Sequence, residues 1–270
     1  MTDWDLAYDN RAHVKDAEST YLTSWQTSAS DFRDAMTLRG SCELSLSYGE
    51  GARNIYDLFE PVYEAKGTVV FIHGGYWRAL DNSWFSHLAS GPLAHGWRMA
   101  IPSYTLAPQA RISEISIEIA KAVTEIGERN EGPIRLIGHS AGGHLVARML
   151  CNDNLLTDET YQRIENTVAV SGVFDLQHLI KTKMNDDLQL DPIEIQAESP
   201  VNLLPRKDAK LTCLVGGSEL PEFLRQNELL AGWKKQGAKV RTIADHGKNH
   251  FSVIEPLSEP SSIITMALLG

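Results

Sequence analysis

From Tyr48 onward the chain alternates short, continuously apolar runs with longer stretches in which apolar residues recur every three or four positions. The short runs are "GTVVFIHGG", ending at His73, "WRMAIPSYTLAP", ending near Tyr104, "PIRLIGHS", "NTVAVSG", "AKLTCLVGG" and "AKVRTIADHG". A run that is apolar at consecutive positions has no polar face to give to water, so these predict strands covered on both sides, as in a parallel sheet. Between them, Ile112, Ile115, Ile119, Val123 and Ile126 fall on one face of a helix running toward Asn130. "AGGHLVARMLC" predicts a second helix, and "PEFLRQNELLAGWKKQG" a third, with Pro221 at its start and Gly237 at its end. The order strand, helix, strand is that of the α/β class: a mostly parallel central sheet with helices on both faces.

Two segments break this rhythm. Residues 1–45 set Trp4, Tyr8, Tyr21, Trp25 and Phe32 among polar residues, and about 176–200 interrupt the sheet pattern. Both are expected over the carboxyl ends of the strands, the first as a covering segment and the second as a short cap insertion. Burial for stability alone is the plainer account of the same aromatic residues. No repeat, low-complexity tract or linker divides the chain, and 270 residues with 43% hydrophobic content are enough for one large core. Residues 1–270 are therefore expected to form a single domain.

Charge narrows the partners. A formal net charge of −10 repels nucleic acid and anionic membrane surfaces, and no block of Lys and Arg offsets it, so neither is an expected partner. The opening "MTDWDLAYDN" is acidic where a signal peptide is positive, and no run approaches the roughly 20 apolar residues that cross a bilayer. A cytoplasmic protein acting on a small molecule is expected, and a homo-oligomer is compatible with this pattern. Cys42, Cys151 and Cys213 are scattered and odd in number, which favours buried thiols over a disulfide framework.

In an open parallel sheet, ligands collect beyond the carboxyl ends of the strands. "GHSAGG", Gly138–Gly143, stands at one such end and puts the Ser140 hydroxyl on a tight strand-to-helix turn. Gly138 and Gly142 leave room for neighbouring chain there, and the following helix directs free N–H groups at the same spot. A serine hydroxyl is a weak nucleophile until a base takes its proton and an acid orients that base. Among the nine histidines, those weighed as the base are His144, His246 and His250, all of which follow Ser140. His144 is expected to pack within the helix after the serine. His250, in "HGKNHF" after the last strand, has the better loop position for a base, and His246 is its alternative. Glu219, directly after the strand in "CLVGGSELPEF", is the expected acid, and Asp245 its rival. "HGGYW" ends a further strand, where the backbone N–H groups of Gly75 and Tyr76, with that of Ala141, would receive charge developing on a carbonyl oxygen. Tyr76 and Trp77, with Trp84 and Phe85, are candidates for the wall around an aryl substrate. A metal is not expected, because His139 and His144 fall off a common helical face and no HExxH or CxxC accompanies them. This chemistry needs no other cofactor. Each motif alone has an ordinary structural account; their common placement at strand ends, in the order a triad requires, favours catalysis.

The combination "HGGYWRALDNSWFSHLA", "GHSAGGHL", "SGVFDL", "GGSELPEF" and "NHF" resembles the α/β-hydrolase branch of animal-type kynurenine formamidases (arylformamidases) and related bacterial esterases, from about Tyr8 to His250. The resemblance implies the α/β-hydrolase fold, a triad of Ser140, Glu219 and His250, and an oxyanion hole at Gly75, Tyr76 and Ala141. Where the family's pattern usually carries aspartate, this chain has Glu219. The implied activity is removal of a formyl group from an aryl formamide such as N-formylkynurenine, and many relatives also cleave small esters. A carboxylesterase or amidase acting on another small acyl group is the competing reading, and a hydrolase relative that only binds its ligand is a third.

Overall fold

A computed structural model describes residues 2–270. Eight strands form one sheet in the order β1-β2-β4-β3-β5-β6-β7-β8. They are β1 (Cys42–Ser47), β2 (Ile55–Phe59), β3 (Thr68–Ile72), β4 (Arg98–Pro102), β5 (Ile134–His139), β6 (Ile164–Val170), β7 (Lys210–Gly216) and β8 (Lys239–Asp245). Strands β3 to β8 run parallel, while β1 and β2 add an antiparallel edge. The sheet therefore begins earlier than the sequence pattern predicts. β1, "CELSLS", is half-exposed along its length, and its mixed polar composition hides it from a search for apolar runs.

The six expected parallel strands are all present. Along β3, Val70 and Ile72 face one apolar layer while Val69 and Phe71 face the other, so the period of a strand distributes one run between two cores. Helices around the sheet include, in chain order, α1 (Trp4–Tyr8), α2 (Asn10–His13), α3 (Thr23–Leu38), α4 (Ile112–Arg129), α5 (Ala141–Arg148), α6 (Pro192–Glu198), α7 (Pro221–Leu229) and α8 (Ile263–Leu269). On α4, Ile112, Ile115, Ile119, Val123 and Ile126 are all fully buried against the first layer, with Leu145 and Val146 of α5. Trp25 and Met36 of α3 and Ile264 and Leu268 of α8 belong to the second. The predicted helix from Pro221 stays α-helical only to Leu229. It then tightens into a 3-10 stretch, Leu230–Gln236, and stops at Gly237 with φ +93°.

The described part of residues 1–45 divides by position. α1 and α2 lie at the strand ends, whereas α3 packs on a face of the sheet, where Trp25 meets Phe85 and Phe251. The insertion reaches the same end. Trp4 stacks on His178 at 3.7 Å, and the Lys183 backbone N–H donates to Asp5 at 2.8 Å. Behind it, buried Glu198 accepts from Arg148 of α5 and from Ser116 of α4, which ties the insertion to the body of the protein. No described helix is long and apolar enough to cross a membrane.

Candidate active site

The carboxyl ends of β3, β5 and β8 each release a loop that lines one cavity of about 520 Å³, and the loop after β7 stands behind His250 with Glu219. Ser140 follows β5 directly. Its backbone sits at φ +57° and ψ −117°, a strained region for a residue with a Cβ, and its N–H is held by the Val170 carbonyl at 2.8 Å. The turn closes because α5 presses against β3: a Cβ on Gly142 would meet the Ile72 carbonyl oxygen at 1.9 Å, and one on Gly138 the Gly142 carbonyl oxygen at 2.1 Å. Only hydrogen fits at either place. Ser140 and His250 both border the cavity; among the described residues no side-chain hydrogen bond joins them.

His250 and Glu219 are brought together. The imidazole Nδ1–H donates to Glu219 Oε2 at 2.6 Å. The other carboxylate oxygen accepts from Ser171 Oγ at 2.5 Å and from the Gly216 N–H at 2.8 Å, so the acid is clamped from three directions. Ser171 stands just past β6 in "SGVFDL", a stretch that the family resemblance includes without giving this serine a role. Asp245 ends β8 and His246 is exposed in the turn after it; neither belongs to the cavity wall.

The other histidines near the site are structural. His139 is buried and donates from Nε2 to the His250 carbonyl oxygen at 2.8 Å, anchoring the loop that carries the base. Burial, with His250 alongside, holds its pKa well below the usual imidazole value. His73 is enclosed between Tyr104, stacked at 4.3 Å, and Phe85; desolvation lowers its pKa to about 4. His144 donates to the Glu198 carbonyl oxygen at 2.6 Å and, again through burial, is lowered to about 3. All three are neutral near pH 7. Among the described residues, no group of three or more His, Cys, Asp and Glu side chains converges as metal ligands do.

After β3 the chain bends through left-handed conformations at Gly75, Tyr76 and Trp77, with φ of +111°, +50° and +56°. The N–H groups of Gly75, Tyr76 and Ala141 donate to no protein acceptor among the described residues. Tyr76 borders the cavity. Trp77 does not: it is fully buried, edge-on to His144 at 5.1 Å, because the left-handed turn sends successive side chains to opposite sides of the loop. Its expected place in the substrate wall is corrected accordingly, as are those of Trp84 and Phe85, which pack in the second apolar layer. The aromatic wall consists of Tyr8, Trp25, Tyr76 and Phe251. Two of these come from the N-terminal segment, whose aromatic residues are the only sequence signal for them.

The comparisons with known proteins agree with this architecture. A family model described as the α/β hydrolase fold matches residues 69–197. Kynurenine formamidase of Salmo salar is 28% identical over 238 residues, spanning 84% of this chain and 80% of that protein. A crystal structure from Silicibacter sp. TM1040, provisionally described as a thioesterase, is 44% identical, covers 100% of both chains and superposes with a TM-score of 0.94. Esterase B of Lactobacillus rhamnosis, at 16% identity and a TM-score of 0.65 over 96% of this chain and 92% of its own, shares the fold alone.

Proposed function

Because the chain belongs to the α/β-hydrolase family, we propose that it is a serine hydrolase that removes a small acyl group, in the first place the formyl group of an aryl formamide such as N-formylkynurenine. The observation that carries this reading is the 2.6 Å contact from His250 to a buried, doubly anchored Glu219, beside a serine on a strained elbow. The formamidase relatives and the aromatic wall support the choice of an aryl substrate.

In this mechanism Ser140 Oγ attacks the formyl carbon and its proton passes to His250 Nε2, while Glu219 holds Nδ1–H and stabilises the imidazolium. The carbonyl oxygen takes up the negative charge and receives hydrogen bonds from the N–H groups of Gly75, Tyr76 and Ala141. The intermediate collapses, the C–N bond breaks, and His250 returns the proton to the departing arylamine. Water, deprotonated by His250, then hydrolyses the formyl ester on Ser140, releasing formate and the free serine.

A second reading, hydrolysis of another small acyl ester, amide or thioester, draws on the provisional thioesterase description of the full-length relative. Measuring kcat/KM for N-formylkynurenine, p-nitrophenyl acetate and butyrate, and acetyl thioesters separates the two. The first reading expects the formamide to be the best substrate. Absence of formamide turnover beside efficient ester or thioester cleavage ends it and leaves the second.

A further inference from the structure

Asn10 opens α2 and is 5% exposed, yet it is one of the residues that line the cavity. The surrounding network settles which end of its amide points where. Tyr76 Oη donates its single proton to the Tyr8 carbonyl oxygen at 2.6 Å. Toward Asn10 the phenol is therefore an acceptor, and the Asn10 NH2 group donates to it at 3.4 Å. Desolvation keeps the Tyr76 pKa far above its ordinary value, so the phenol stays protonated and the direction of this chain does not reverse. What remains is Asn10 Oδ1, a buried carbonyl oxygen with no hydrogen-bond partner among the described residues. A buried acceptor left unpaired is costly, and such groups mark places where something else completes the site.

We infer that Asn10 Oδ1 reads the substrate: it accepts a hydrogen bond from a neutral N–H or O–H group on the leaving-group portion. The inference rests on the hydrolase reading of this cavity. A formyl or other small acyl group has no donor to offer, whereas an arylamine or a substituted phenol has one. The competing acceptors differ in kind. Asp9 is exposed and caps α2, while half-buried Asp5 accepts from Lys183, and as carboxylates both favour cations. Asn10 offers a neutral acceptor away from water, where a missing partner is felt most.

The test uses matched leaving groups: 3- and 4-(hydroxymethyl)phenyl acetate, each beside its methyl ether. The wild-type protein is expected to favour at least one alcohol over its ether by about tenfold or more in kcat/KM. Asn10→Leu, similar in volume but without an acceptor, should bring that ratio toward one, and Asn10→Asp, which keeps an acceptor, should retain it. The inference is overturned if the wild type treats each alcohol and its ether alike, or if a folded Asn10→Leu protein keeps the wild-type ratio. Failure of the hydrolase reading looks different: no phenyl acetate turnover and no Ser140-dependent fluorophosphonate labelling, in which case both fall together.

Discussion

Glu219 offers His250 only one of its two oxygens, because Oε1 is committed to Ser171 and Gly216. A glutamine here would keep its carbonyl end toward those two donors and turn its NH2 group to the imidazole. Nδ1 would then have to accept, leaving the proton on the nitrogen that should act as base. Glu219→Gln is accordingly expected to lower kcat by about 10³–10⁴ while melting as the wild type does, whereas Asp245→Asn should change kcat by no more than about twofold. Steady-state kinetics with a thermal melt check both, and a reversed pattern would give Asp245 the role. Ser140 and its glycines are legible in the sequence because an elbow is local. Glu219 and His250 are each the expected choice in the sequence, but their contact is not legible there, because Asp245 and His246 sit at a neighbouring strand end and only the path of two loops separates the pairs.

The elbow depends on two elements meeting almost without side chains. α5 lies so close to β3 that the Gly142 Cα faces the Ile72 carbonyl, and an added methyl would force strand and helix apart. Gly142→Ala should destabilise the fold by about 1–3 kcal/mol or more and sharply slow fluorophosphonate labelling of Ser140, read by urea denaturation and by gel. Unchanged stability would mean that the helix slides to make room at no cost. The N-terminal elements act at the other wall. Tyr8 donates to buried Glu222 at 2.8 Å, and its carbonyl receives the Tyr76 hydroxyl, so α1 and the loop after β3 hold each other. The sequence signals this only as an aromatic cluster, since a tyrosine that packs and a tyrosine that ties two loops leave the same mark in a hydrophobic pattern.

Across the protein, His73, His139 and His144 are buried in the neutral form, with pKa values lowered to about 4, well below normal, and about 3. In the unfolded chain each titrates near 6.5. The unfolded state thus binds more protons between these limits, and stability that is complete above about pH 6.5 is lost as pH falls toward the folded-state values. The urea midpoint should decline steadily from about pH 6.5 to pH 4, and His144→Gln should flatten that decline; a midpoint independent of pH over this window would contradict the assignment of neutral buried imidazoles. The central strands, the crossover helices and the α/β class are written in the chain, because burial on two faces imposes a period that any single stretch displays. Assembly settled the rest: the half-exposed edge strand β1, the burial of Trp77, the choice of Glu219 as the partner of His250, and the unpaired oxygen of Asn10. Each depends on which distant backbone lies within about 3 Å, the range of a hydrogen bond, and no local pattern carries that distance.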